Sequence, residues 1–322
     1  CIVYFIFSLC FRFGKGDFLD RFLPRVVTGP VVIVIGLKLA PVGVANAMTF
    51  VPGGAFDGMA LLVAAVAVAT AVIVTVWGKN FIKLIPVLCG VIVAYLVCLF
   101  MGKVDTGLIA NASWFAIPWT EAIAMGKYAM PSFDLAAILF ILPVAIAPAV
   151  EHVGGIIAIS SATGNDFIKK PGLHKTLLGD GIASGLAPLL GGPPNTTYAE
   201  VTGAVALTKA FNPLYMRIAA VTAIVFAFCG KLNAVLSSIP LPVMGGIMII
   251  LFGMIAVVGI HTMIEGQVNL NNPRNMLIDA IILTTGVGDL QIHFGENFML
   301  SGIGLAAIIG IVLNIILPKN VK

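Results

Sequence analysis

Two carboxylates, Glu151 and Glu200, are the side chains best placed to do chemistry in this chain, because both sit inside long apolar runs. An ionised carboxylate at mid-bilayer costs several kcal/mol unless it is paired, hydrated or protonated, so such a group marks a working site before it marks a structural one. The plainer alternative is a carboxyl that only bridges two helices through hydrogen bonds. Each glutamate follows a backbone breaker, Pro148 before Glu151 and the pair Pro193-Pro194 before Glu200. His152 stands beside Glu151, and an imidazole can take or pass a proton near neutral pH. Neighbours on a helix point about 100° apart, so His152 reads equally as a packed histidine or a proton carrier.

The element around Glu200 is unusual. Residues 191–209 read GGPPNTTYAEVTGAVALTK. The two prolines remove backbone donors and push the chain toward extended conformations. The polar, partly β-branched NTTY suits a short strand, and a helical pattern resumes only after Gly203. A strand followed by a half-helix is tolerated in a bilayer only where protein or water covers its free backbone groups, which marks a solute site. The remaining ionisable groups are less telling. His174 and His261 read as interfacial, and His293 lies in an outer turn. Glu265 and Asp289 fall at solvated span ends, Lys38 and Lys231 can snorkel along their stems, and Asp180 and Asp279 are left open.

These residues must be positioned by membrane helices. The chain has 322 residues, 60% hydrophobic and only 10% charged, with a mean hydropathy of +1.09. A soluble domain would carry about a quarter charged residues, so the fold class is an all-α polytopic membrane protein. Apolar runs at 26–48, 57–78, 81–102, 133–160, 176–190, 213–237, 242–264, 273–287 and 298–317, with the broken element, give about ten crossings. A link at 103–132 with Trp114, Trp119 and Tyr128 reads as an extramembrane excursion. If crossings alternate, most of the 18 basic residues share one side, among them Arg25, Lys169, Lys170, Arg217 and Arg274. That bias makes the C-terminus cytoplasmic. The opening CIVYFIFSLCF is shorter than the ~20 residues a crossing needs and reads as the tail of a helix in an N-terminally truncated chain.

No GxSxG, HExxH or P-loop is present, so the chain reads as no enzyme and no ATP-driven pump. The five cysteines lack metal spacing, and neither a metal nor a cofactor is expected. No basic, aromatic-studded surface points to nucleic acid.

The segment Glu200-Val201-Thr202-Gly203 with Thr208-Lys209, the preceding GGPPNTTY, and AVEHVG, KKPGLH and IPLPVMGG resemble the nucleobase–ascorbate transporters. That family is also called nucleobase:cation symporter-2, and the likeness is nearest to its bacterial uracil permeases and runs end to end. It implies fourteen segments in an inverted 7+7 repeat with core and gate domains, the first three segments missing here. On that reading residues 1–11 are the tail of a core segment and 25–131 the first part of the gate. Residues 133–238 form the core with the substrate site, and 239–318 the rest of the gate. It further implies proton-coupled uracil uptake across a bacterial inner membrane, with sodium as the alternative ion and a homodimer through the gate. Glu151, Tyr198, Ala199 and Glu200 would bind substrate, and Glu151 and His152 would handle the proton. Xanthine or another nucleobase, or an anion as in sulfate permeases, are the alternative cargoes. Two departures stand out: Val201 replaces the signature Asn, and Gly155 stands where uracil permeases often carry a second His.

Overall fold

The computed structural model describes residues 2–13, 24–117, 132–134, 137–138, 145–198, 200–294 and 298–318. In chain order the helices are α1 (Ile2–Phe13), α2 (Arg25–Ala47), α3 (Gly58–Trp77), α4 (Pro86–Phe100), α5 (Thr106–Asn111), α6 (Ile146–Thr163) and α7 (Leu173–Leu189). They continue with α8 (Glu200–Thr208), α9 (Pro213–Ala227), α10 (Gly230–Ser237), α11 (Leu241–Glu265) and α12 (Pro273–Val287). A hairpin of β1 (Gln291–Phe294) and β2 (Phe298–Ser301) then leads into α13 (Gly302–Ile316). Helices α2, α3 and α11, of 23, 20 and 25 residues, are long and apolar enough to cross a bilayer; α1, α4, α9 and α13 are shorter and apolar. The chain is a multi-pass membrane protein.

Helix ends follow local chemistry. Asn212 and Asn272 cap α9 and α12 by accepting from the backbone N–H two residues on, and Pro213 and Pro273 take the first helical positions. Asp57 caps α3 in the same way. Each such cap stabilises its helix by about 1 kcal/mol, and proline at the first position loses no helical hydrogen bond.

The chain divides into two compact units. One comprises Cys1–Lys38, Ala129–Phe211 and Ile255–Lys322. In it α12 packs on α13, and α1 and α6 pack on α7. One of its cores joins Val27 and Val34 of α2 to Ile278 and Ile282 of α12 and Ala306 of α13. The approach is close, since a Cβ on Gly286 would meet the Val34 side chain at 2.5 Å. A second core gathers Tyr4, Ala149, Val153, Leu173 and Leu177, which fastens α1, α6 and α7 together. Arg274, 7% exposed, reaches across from α12 and donates from its guanidinium to the Asn314 carbonyl and side chain at 2.7 and 2.8 Å.

The other unit comprises Leu39–Tyr128 and Asn212–Met254. Its core holds Val63 and Ala67 of α3, Ala94 and Cys98 of α4, and Val243 and Ile247 of α11. Helix α9 has no buried residue, and Ile218, Val221 and Ile224 are more than half exposed. An apolar face of that kind is stable against lipid rather than water.

Several sequence expectations need correction here. The run at 213–237 is two helices, because the chain leaves the helix at Phe228 and Cys229: the Phe228 carbonyl accepts from the Ala116 N–H and the Gly230 N–H donates to the Trp114 carbonyl, with Cys229 opposite Phe115. Gly230 permits this, since a Cβ there would meet the Ser113 carbonyl at 2.4 Å. The Lys231 Nζ has a specific partner that the sequence did not show: it donates to the Ile109 and Ala110 carbonyls at 2.7 and 2.8 Å, satisfying the end of α5. Lys38 likewise pairs with the Asp289 carboxylate. The run at 298–317 begins as strand β2, paired antiparallel with β1 (Gln291 opposite Ser301), and turns helical only at Gly302, whose φ of +55° favours glycine. The strand expected at 195–198 pairs with no other strand among the described residues, and Pro193 and Pro194 offer no N–H to a ladder. Trp119 and Tyr128 lie outside the described residues.

Candidate functional site

Helix α6 carries Glu151 and His152. Pro148 occupies its first turn, where a missing N–H breaks no helical bond. The helix closes at Gly164, whose φ of +73° and N–H bond to the Ser160 carbonyl form a left-handed cap. Helix α7 presents Asp180 and Ser184, four residues apart and therefore on one side of the helix, together with buried Leu177 and Gly181.

The break follows α7 directly. Gly191 takes a φ of +84°, and the Gly192 N–H returns to the Ala187 carbonyl at 2.9 Å. Pro193 and Pro194 then prevent the helix from resuming, and the backbone stays irregular through Tyr198 until α8 opens at Glu200. Ser184 Oγ donates to the Asn195 carbonyl at 2.6 Å, satisfying an acceptor that the break leaves outside any helix.

Three side chains from three elements meet here. His152 Nδ1 lies 2.6 Å from the Thr197 hydroxyl, that hydroxyl donates to Asp180 Oδ2 at 3.0 Å, and His152 Nδ1 is 3.1 Å from the same oxygen. His152 is 5% exposed, and the Asp180 side chain 11%. Burying such groups is unfavourable unless they satisfy one another, as they do here. Tyr4 of α1, 3% exposed, is buried near Asp180 and Glu151. Gly155, one turn beyond Glu151, makes room for the contact: a Cβ there would meet the Thr197 methyl at 3.0 Å.

Of the residues singled out from sequence, Glu151 is half-buried beside His152. Helix α6 packs against α8, the helix that Glu200 opens. Tyr198 is 51% exposed at the end of the break, and Val201 is 46% exposed. Ala199 and the Glu200 side chain lie outside the described residues. Asp180, Thr197 and Tyr4 were not singled out. The signal for Asp180 was available, since an Asp and a Ser four apart in an apolar helix define a polar stripe. Nothing local marked Thr197 or Tyr4. Among the described residues no group of three His, Cys, Asp or Glu side chains could hold a metal ion.

The arrangement holds a buried imidazole and carboxylate against an unwound stretch of backbone. Residues 1–294 match the model of a family described as the permease family. A probable uracil permease of Haemophilus influenzae is 50% identical over 318 residues, 99% of this chain and 74% of that protein. The uracil permease of Bacillus subtilis is 41% identical over 322 residues, covering 99% and 74%. That of Escherichia coli K12 is 36% identical over 319 residues, covering 98% and 71%. On these matches the chain belongs to the permease family of the nucleobase:cation symporter-2 type, a membrane transporter and not an enzyme.

Proposed function

We propose that this protein is a secondary active transporter that takes up uracil together with protons across a bacterial inner membrane. The packing of α6, which bears Glu151 and His152, against the helix opened by Glu200 supports this most directly. The relatives named uracil permease or probable uracil permease support the cargo. Uracil is a flat ring with two N–H donors and two carbonyl acceptors. Carboxylates accept from the N–H groups, and backbone N–H groups at Tyr198 and Ala199 donate to the carbonyls. Glu200 fixes the ring. Glu151 binds it and links occupancy to protonation, since protonating a buried carboxyl removes the penalty on its charge. His152 shares that proton.

The same reading takes residues 133–238 as the site-bearing core of an inverted 7+7 fold, with 25–131 and 239–318 as the gate against which it moves. The site is then open to one side of the membrane at a time. Dimerisation runs through the gate, and the C-terminus is cytoplasmic. Cells lacking their own nucleobase uptake, given labelled uracil with unlabelled uracil, thymine or xanthine as competitor, test the cargo. Uracil should compete best, and collapse of the proton gradient should stop accumulation while collapse of a sodium gradient leaves it unchanged. Stronger competition by xanthine would move the assignment to purines.

A further inference from the structure

With Asp180 ionised, the contact among His152, Thr197 and Asp180 leaves one consistent placement of the hydrogens. An ionised carboxylate has only lone pairs, so the Thr197 hydrogen goes to Asp180 Oδ2 at 3.0 Å. The Thr197 oxygen is then left as an acceptor, and the atom facing it at 2.6 Å is His152 Nδ1. The other neighbour of Nδ1 is Oδ2 at 3.1 Å, also an acceptor. Both partners of Nδ1 accept, so Nδ1 carries the hydrogen and the neutral ring keeps its bare nitrogen at Nε2. Nε2 is buried and has no hydrogen-bond partner among the described residues.

Thr197 is also part of the unwound segment, three residues before Glu200, and Ser184 holds the same segment at Asn195. One hydroxyl therefore ties the imidazole to the backbone that leads to the substrate site. The ionisable groups around His152 are Glu151 on α6, Tyr4 on α1, Asp180 on α7 and the helix opening at Glu200. Helix α13 also packs on α6 and brings no ionisable side chain. Lys169 and Lys170 belong to the turn beyond the far end of α6.

We propose that Thr197 is a positioning residue for transport: its hydroxyl holds His152 with the hydrogen on Nδ1 and Nε2 open, so that a proton taken at Nε2 changes the grip of the His152–Asp180 pair on the unwound segment. The resulting imidazolium stands against the Asp180 carboxylate, and the hydrogen bonds through Thr197 pass that change to the backbone. This rests on the proton-coupled uptake proposed above.

The test compares the unaltered protein with Thr197→Val and Thr197→Ser in membrane vesicles, by two measurements. One is accumulation of labelled uracil driven by an imposed proton gradient. The other is counterflow, the exchange of labelled for preloaded uracil without a gradient. Loss of a hydrogen bond to a charged carboxylate is expected to lower accumulation in Thr197→Val by about tenfold or more while counterflow stays within about twofold. Thr197→Ser should restore accumulation, and Thr197→Ala repeats the comparison if the valine variant fails to insert. Counterflow that falls as far as accumulation marks Thr197 as merely structural and overturns the inference, as does unchanged accumulation. An unaltered protein without either activity overturns the uracil reading itself, which keeps the two failures distinct.

Discussion

His152 Nδ1 stands 3.1 Å from Asp180 Oδ2, and the Thr197 hydroxyl bridges the same two groups. The pair joins α6 to α7 and both to the break between α7 and α8. Removing one member of such a buried, hydrogen-bonded set is costly because it leaves the others without a partner.

Asp180→Asn keeps the size of the side chain and removes its charge. The amide can donate to His152 Nδ1 and so favours the opposite placement of the ring hydrogen. Gradient-driven uracil accumulation should fall by about tenfold or more, in line with the loss of a charged hydrogen bond. Vesicle uptake measures it, and activity close to the unaltered level would show that the pair is dispensable.

Gly155→Ala brings a Cβ to 3.0 Å from the Thr197 methyl. Overpacking at a close contact costs about 1–3 kcal/mol, so thermal unfolding in detergent should occur at lower temperature. Unfolding indistinguishable from the unaltered protein would mean that Thr197 gives way freely.

Arg274→Met keeps the aliphatic stem and removes three donors to the end of α13, at Asn314 and Leu317. Leaving buried acceptors without partners costs about 1–3 kcal/mol. Chemical unfolding should show that loss, and Arg274→Lys should recover only part of it because a single ammonium cannot reproduce the guanidinium fork.

Lys38 holds the Asp289 carboxyl below its usual range, helped by a bond from Gln291 at 3.4 Å. A carboxyl depressed in the folded state stabilises the fold fully above its unfolded pKa of ~3.9 and loses that contribution as pH falls through the folded value. Stability should therefore decline on acidification below about pH 4, and Lys38→Met should flatten that part of the profile. Asp289 is substantially exposed, so solvent screening keeps the effect small. Identical acid profiles for the two proteins would contradict the pairing.

The sequence made the helical membrane class legible because apolar runs and sparse charge leave no other class open. It also exposed the break at Pro193-Pro194, since two missing N–H groups cannot be accommodated inside a helix. Glu151 and His152 were legible for a similar reason, as polar side chains in apolar surroundings. Thr197 was hidden because a threonine in a polar stretch has many ordinary uses, and only the packing of α6 and α7 gives it a histidine and an aspartate. The divided span at Phe228 and Cys229 was hidden too, because its replacement hydrogen bonds come from residues 114–116, more than a hundred positions away. Composition reports neither. The roles of Lys38 and Lys231 depended in the same way on partners distant in sequence.

Uptake of labelled uracil by Glu200→Ala, set beside the unaltered protein under an imposed proton gradient, tests the central claim most directly. The unaltered protein should concentrate uracil and lose that ability when the gradient collapses, and Glu200→Ala should accumulate none above background. Uptake that proceeds regardless of the Glu200 substitution, or without any gradient, would contradict it.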